Sequence, residues 1–174
     1  DVFDLRVKTN NSQFTKTFIN KNKGNIPVYS ASKFPDAVDY GHVKDGLDGI
    51  KYFKDCLTWN IDGSIGKAHY RKGIFSLSEK VIPLLVMENL KCKLDIDFLK
   101  NIIEKEFSRH SFGFGNKAGK GKIKDIEIEI PVNEKGDFDL SEQQRISEIY
   151  KKIEVIKLAI TLELNKISSI EINI

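Results

Sequence analysis

Hydrophobic and polar positions follow two different spacings along this 174-residue chain. In the first half, short apolar runs bounded by glycine, aspartate, serine or lysine predict strands joined by turns. They are IPVYS at 26–30, CLTWNI at 56–61, KAHYR at 67–71 and VIPLLVM at 81–87. The segment DIEIEI at 125–130 alternates strictly between acidic residues and isoleucine, which predicts a further strand that ends at Pro131.

Two other segments have the spacing of helices. Asp95 can cap a helix that extends to about Ser108. Its apolar stripe consists of Ile96, Leu99, Ile102, Ile103 and Phe107. A second helix is predicted to begin at Ser141–Gln144, because S-x-x-Q has the form of a capping box. Neither glycine nor proline interrupts residues 141–174. A helix of about 27 residues there would be about 40 Å long.

This long helix carries a heptad seam. Isoleucines recur at alternating steps of three and four, and the spacing then slips by one residue. The seam contains Ile146, Ile149, Ile153, Ile156, Ile160, Leu164 and Ile167. Because the helix is too long to be covered by a compact domain of this size, we expect it to pair with another long helix in a coiled coil. The chain is thus predicted to comprise an α/β (α+β) globule at 1–131, a connecting turn at 132–140 and a long helix at 141–174.

Composition and charge narrow the function classes only a little. The formal net charge of +3 permits nucleic-acid binding without arguing for it. The two cysteines, Cys56 and Cys92, lie far apart and the three histidines are scattered, so we expect reduced thiols in a cytoplasm and no metal site. No apolar run approaches the roughly 20 residues that span a bilayer. The chain starts at Asp1 without methionine, as an excised domain or a processed chain would.

The stretch GSIGK at 63–67 contains the glycines and the lysine of a phosphate-binding loop. A nucleotide-binding loop of this kind reads G-x-x-x-x-G-K-[ST] and lies between a strand and a helix. Here the spacing is G-x-x-G-K, Ala68 replaces the hydroxyl residue, and the sequence that follows alternates like a strand. The pattern therefore favours a tight turn between two strands over a nucleotide site.

A second basic, glycine-rich stretch follows the first predicted helix, at 111–124. Its glycines would allow a ligand to approach the backbone closely, and its lysines would neutralise phosphates without reading sequence. These lysines are Lys117, Lys120, Lys122 and Lys124. The alternative is a solvated basic loop without a ligand.

Catalytic patterns find no support in the sequence. It contains no Asp-x-Lys or Glu-x-Lys of the common restriction nucleases, no Pro-Pro dipeptide of the amino methyltransferases and no G-x-S-x-G elbow. His69 is isolated in a predicted strand, where a hydrogen-bonding role is favoured over that of a general base. We therefore expect neither catalytic residues nor a bound cofactor.

The order of these features resembles a known family. The segments FTKTFINKNKGNIPVYSAS, LTWNIDGSIGKAHYRKGIFSLSEKVIPL and GKIKDIEIEIPVNEKGDFDLSEQQRISEIYKKI resemble a target recognition domain. Such domains occur in the specificity (S) subunits of type I restriction–modification systems and in type IIG and related fused enzymes. The resemblance implies a reader of double-stranded DNA that inserts loops into the major groove. The long helix would pack antiparallel against that of a second recognition domain and set the spacing between two half-sites.

The resemblance also implies partners and contact residues. Methyltransferase subunits or domains, which use S-adenosylmethionine, would supply the chemistry. The residues expected to contact DNA are Ser30, Ser32, Lys33, Ser64, Lys67, His69, Arg71, Lys117, Lys120 and Lys122. Of these, Ser32, Lys67 and Arg71 are expected at bases and Lys117, Lys120 and Lys122 at phosphates. Their loops, at 30–33, 62–72 and 115–122, should then lie on one side of the domain.

Alternatives remain open at this point. A full specificity subunit has two recognition domains and two long helices, whereas this chain has one of each. It is therefore a half-subunit that dimerises, an excised half, or the recognition domain of a fused enzyme, which the shortened IPVNEKGDFD segment favours. The rival classes are a coiled-coil adaptor that ignores DNA and an enzyme that binds a nucleotide at Gly63–Lys67.

Overall fold

The computed structural model describes residues 1–113 and 115–169. These residues form an α+β fold with a six-stranded sheet in the order β1-β6-β4-β5-β2-β3. The strands are β1 (Phe3–Asp4), β2 (Lys23–Tyr29), β3 (His42–Val43), β4 (Tyr52–Asn60), β5 (Ala68–Leu77) and β6 (Val81–Val86). The helices are α1 (Lys16–Lys21), α2 (Ile96–Ser108), α3 (Lys120–Ile123) and α4 (Leu140–Ser168), with a 3-10 turn at Glu88–Leu90.

The four strands predicted from short apolar runs are confirmed as β2, β4, β5 and β6. Strand β2 is parallel to β5, and the other pairs are antiparallel. The short β1 and β3, together with α1 and α3, escaped sequence analysis because elements of two to six residues have too few positions for a periodicity.

The sheet curls on itself. Ser76 near the end of β5 lies opposite Tyr52 at the beginning of β4, whereas Val81 at the beginning of β6 lies opposite Asn60 at the end of β4. The connection between β5 and β6, residues 78–80, reaches about 14 Å at most, while a nine-residue strand such as β4 is about 30 Å long when straight. The sheet must therefore bend so that the two ends of β4 come close together.

Helix α2 covers one face of the sheet as its apolar stripe predicted. The Asp95 carboxylate accepts a hydrogen bond from Phe98 N at 2.7 Å, which confirms Asp95 as the cap. Phe107 packs edge-on against Trp59 of β4, with 4.5 Å between ring centroids. Burial of such side chains contributes about 1.5–3 kcal/mol each and makes this face the main core. Its members on α2 are Phe98, Leu99, Ile102, Ile103 and Phe107.

The prediction of a strand at 125–130 is wrong. Residues 126–130 belong to no strand or helix. Ile126, Ile128 and Ile130 are half-buried against the core beneath α2. The alternation therefore correctly identified the buried face, but it did not reveal that the backbone lacks a neighbouring strand.

Helix α4 begins at Leu140, and its cap is Asp139, whose carboxylate accepts from Glu142 N at 3.0 Å. The predicted capping role of Ser141 is therefore wrong. Ile146 is half-buried against the core, but the rest of the heptad seam is exposed: Ile149, Ile153, Ile156, Ile160, Leu164 and Ile167. Coiled-coil pairing stays a prediction, and the predicted end of the helix at 170–174 lies outside the described residues. No helix among the described residues is long and apolar enough to cross a membrane.

Candidate nucleic-acid interface

The GSIGK stretch lies in the turn that joins β4 to β5. Gly63 and Gly66 adopt positive φ angles of 65° and 84°, which glycine tolerates best. Asp62 Oδ1 accepts from Gly63 N at 2.9 Å and closes the turn. The prediction of a turn between strands is confirmed. Since the lysine is followed directly by β5, this loop does not lead into a helix, and the nucleotide alternative loses its structural basis.

The loop that follows β2, residues 31–41, is hydrogen-bonded to this turn. Ser64 N donates to Ala31 O at 3.2 Å. The fully buried Asn60 side chain donates through Nδ2 to Ser32 O at 2.8 Å and to Ser64 O at 3.2 Å. These bonds hold the ends of two loops from different parts of the sequence in one arrangement.

The glycine-rich segment 115–122 lies against the same turn. Lys117 Nζ is 2.6 Å from Asp62 Oδ2, and Trp59 Nε1 donates to Ala118 O at 3.2 Å. A cleft of about 440 Å³ separates the two segments and is lined by Ile61, Gly115, Lys117, Gly119, Gly121 and Lys122. The three loop regions predicted to share one side of the domain therefore meet at one end of the sheet. We call this set, residues 31–35, 61–67 and 115–122, the loop cluster.

Several lysines surround the loop cluster, and some have partners within the chain. Lys67 lies 3.2 Å from Glu104 of α2, and Lys122 donates to Asn116 Oδ1. Lys33 is exposed, with its ammonium 4.9 Å from the centre of the Phe34 ring. Phe34 itself is 61% exposed. Ion pairs at exposed positions are weak, so Lys67 can exchange Glu104 for another partner at little cost.

Lys80, which was not among the expected contact residues, lies beside the turn, and Lys120 lies against the N-terminal segment. The carbonyl of Lys80 accepts from Ile61 N at 3.0 Å. The pKa of Asp62 is lowered chiefly by the hydrogen bond from Lys117 and further by the positive charge of the Lys80 side chain. Lys120 instead donates to Val7 O, and partial burial lowers its pKa. Lys120 thus contacts the N-terminal segment, and its expected contact with a phosphate stays a prediction.

Three expected contact residues lie beneath the surface. His69 is 4% exposed and donates from Nε2 to Ser32 O at 3.0 Å, since a carbonyl oxygen can only accept. Burial lowers its pKa, which favours the neutral ring. The hydroxyl of Ser30, also buried, accepts from Ser78 Oγ at 3.2 Å. His69 therefore has the hydrogen-bonding role expected of a strand residue, and both side chains are buried.

Arg71 is also buried, at 3% exposure. Its guanidinium carbon lies 3.8 Å from the centre of the Tyr29 ring, a cation–π contact, and burial lowers its pKa. Among the described residues, its Nε and Nη2 have no hydrogen-bond partner. In this conformation the side chains of Ser30, His69 and Arg71 are buried, and direct contact of these residues with DNA stays a prediction.

The described residues contain no cluster of metal ligands, and the thiol of Cys56 is not ionised. Over 1–113 and 115–169, no three His, Cys, Asp or Glu side chains are placed to hold a metal ion. Burial raises the pKa of the Cys56 thiol to about 12, which keeps it protonated and unreactive. What the site offers is a set of exposed lysines, backbone amides near glycines and an exposed aromatic ring.

Comparison with known proteins defines the class. The family model described as the type I restriction modification DNA specificity domain matches residues 1–171, and the chain belongs to this family. The type I restriction enzyme MpnII specificity subunit of Mycoplasma pneumoniae is 31% identical over 118 residues, 67% of this chain and 34% of that protein. A second protein of that bacterium, described as the type I specificity subunit S.MpnORF201P, is 31% identical over 118 residues, 67% of this chain and 47% of its own length.

A solved structure agrees with this fold. The crystal structure of the type I restriction–modification S subunit from M. genitalium matches 95% of this chain and 40% of its own, with a TM-score of 0.57 and 19% identity. The chain thus spans less than half the length of the relatives that it matches.

Proposed function

We propose that this chain is the DNA-reading specificity module of a restriction–modification system and that its loop cluster reads one half of a bipartite target. The observation that carries the proposal is the meeting of residues 31–35, 61–67 and 115–122 at one end of the sheet. Separate loops that converge on a rigid sheet form a surface that can follow a groove of DNA. The family of the chain supports this choice over the adaptor and over the nucleotide enzyme.

Within this proposal, the exposed side chains have different tasks. Lys117 and Lys122 border the glycine-lined cleft, where lysines can neutralise phosphates and backbone amides can bind them. Lys33, Ser64 and Lys67 are the candidates for base edges, because lysine pairs with guanine and serine with several bases. The buried Asn60 and His69 act indirectly, since their hydrogen bonds fix the shape of the loops that carry these side chains.

Helix α4 has the second task. In the proposal, residues 1–131 are the recognition domain, 132–140 the connecting turn, and the exposed seam of α4 pairs with the long helix of a second recognition domain. Successive isoleucines with 39–56% exposure from Ile153 to Ile160 support a helical partner, because a large apolar stripe in water favours association. Methyltransferase subunits that carry S-adenosylmethionine would dock on this assembly and supply the chemistry.

The test combines binding and genetics. The purified chain is incubated with a pool of duplexes that contain a randomised central segment, and the bound fraction is sequenced. We expect a bipartite motif, and we expect methylation of the same motif in the host genome to vanish when the gene is deleted. A pool that stays random after repeated selection, together with unchanged methylation, would refute the proposal and favour the adaptor.

A further inference from the structure

The first turns of α4 join the globule through a buried polar contact. The Gln143 side chain is fully buried and makes two hydrogen bonds to the segment that precedes α2. Its Oε1 accepts from Asp95 N at 2.9 Å, and its Nε2 donates to Lys93 O at 3.2 Å. Both ends of one amide are thus satisfied by the backbone of a segment 48 to 50 positions away.

Ser147, one helical turn later, completes the contact. It is 2% exposed, and its hydroxyl donates to Asp95 Oδ1 at 2.6 Å. The same oxygen accepts from Phe98 N and begins α2. We call Asp95, Gln143 and Ser147 the polar joint. Because hydrogen bonds are directional, the joint fixes both the rotation of α4 about its axis and its position against the start of α2.

Other contacts constrain the direction of α4 less strictly. Ile146 packs on the core between the two polar residues, but apolar contacts tolerate small rotations. Lys151 lies 3.1 Å from Asp97, yet about half of each side chain is exposed, at 52% and 50%, so this ion pair contributes little. Beyond Lys151, every described residue of α4 is exposed, and this part of the helix projects from the globule.

The length of the projecting helix amplifies any change of its angle at the polar joint. From Ser147 to Ser168 the helix is about 30 Å long, so a tilt of about 10° at the joint would move its end by about 5 Å. Successive base pairs of a duplex are about 3.4 Å apart. A small change in the angle of the joint would therefore displace one recognition domain relative to another by more than one base pair.

We infer that Asp95, Gln143 and Ser147 are positioning residues that set the angle between the recognition domain and its long helix, and through it the number of base pairs between the two half-sites. The inference rests on the proposed function. According to this inference, the number of base pairs between the half-sites depends on the polar joint within each chain as well as on the seam between the two long helices.

The first experiment measures the angle without DNA. Cys92 is exposed and Cys56 is buried, so spin labels attach at Cys92 and at a second cysteine introduced by Lys166→Cys. Labelled chains are diluted with unlabelled chains, and the distance between labels within one chain is measured by double electron–electron resonance. We expect one narrow distance distribution for the parent and at least a twofold broader one after Gln143→Ala.

The chain provides a matched control for each variant. Gln144 and Ser141 are exposed neighbours of Gln143 and Ser147 on the same helix. Gln144→Ala and Ser141→Ala should keep the narrow distribution, whereas Ser147→Ala should broaden it. Ser147→Ala removes a single hydroxyl, so it carries the test if Gln143→Ala fails to fold. Equal widths for Ser147→Ala and Ser141→Ala would overturn the inference.

The second experiment measures spacing. The same variants select from the randomised duplex pool, and the spacer length of the enriched motif is compared. The Gln144→Ala protein should enrich one spacer length, while Gln143→Ala and Ser147→Ala should enrich two or more with unchanged half-site sequences. If the joint variants keep the single parental spacer, the inference is wrong although the proposed function stands. If the unmodified chain enriches no bipartite motif, the proposed function fails and the inference fails with it.

Discussion

Asn60 offers the sharpest test of how the loop cluster is held together. It is fully buried at the end of β4, and its Nδ2 donates to Ser32 O at 2.8 Å and to Ser64 O at 3.2 Å. Asn60→Ala removes both bonds but keeps the backbone bonds of Asn60 with Gly66 and Lys67. The substitution therefore loosens the loop at 31–41 from the turn at 61–67 without breaking the sheet.

The magnitude follows from the contacts. A hydrogen bond contributes about 1 kcal/mol net, so the two bonds predict a loss of about 2 kcal/mol in the free energy of unfolding. Ser32 O still accepts from His69 Nε2, which limits the cost of leaving that carbonyl unpaired. For a chain of this size, about 2 kcal/mol corresponds to a decrease of about 4–8 °C in the melting temperature.

The assay is urea unfolding of the parent chain and of two variants. Asn11→Ala at an exposed position is the matched control and should change stability by less than about 0.5 kcal/mol. Below the unfolding transition, Asn60→Ala should also bind its selected duplex more weakly, because the loops are no longer held in the binding shape. Equal stability of the two variants would refute the assignment of Asn60 as the residue that joins the loops.

Three further outcomes are expected. Lys122→Ala should weaken binding to all duplexes and reduce the slope of log K against log salt by about 1. Lys91→Ala, outside the loop cluster, should leave the affinity and the slope unchanged. A loss of affinity confined to one sequence would contradict a phosphate contact of Lys122. Burial lowers the pKa of His69 below its usual 6.5, so the unfolded chain binds a proton more readily than the folded chain does. The free energy of unfolding should therefore fall as the pH decreases from 7.5 to 5.5, and it should fall less in His69→Gln. Equal pH dependence of the two proteins in urea unfolding would exclude this. Ile153→Asp, at a 39% exposed position, should abolish self-association in sedimentation at nearly unchanged stability, and an unaltered dimer would exclude the seam as the interface.

Sequence patterns predicted the longer regular elements well. The stripe of α2 and the alternation of β5 depend on local spacing, and both appear as expected. The segment 125–130 shows the limit of such reasoning. Its isoleucines do face the core, but a strand also requires a neighbouring backbone, and no local pattern specifies one.

The meeting of the three loops was predicted, whereas the surroundings of the individual side chains were not. The loops that resemble the family meet where expected, yet Ser30, His69 and Arg71 are buried in the fold instead of facing a ligand. A polar residue in a loop or short strand can serve either purpose, and the sequence does not record which carbonyl it will meet. Asn10 illustrates this, since it lies in a polar N-terminal segment but donates from a buried position to Ser76 Oγ and Leu77 O.

The polar joint shows which long-range contacts a sequence can suggest. Gln143 and Ser147 are four residues apart and therefore share one face of α4, and Ile146 marks that face as the one toward the core. Two polar residues on a buried face imply partners, because an unpaired buried amide costs about 1–3 kcal/mol. The sequence could thus predict that such partners exist, but it does not identify Asp95 as one of them. The sequence could not provide the fold that brings Ser147 Oγ within 2.6 Å of Asp95 Oδ1. A network of this kind therefore reports on the relation between two parts of the chain, and for this reason we expect its loss to change spacing and not half-site sequence.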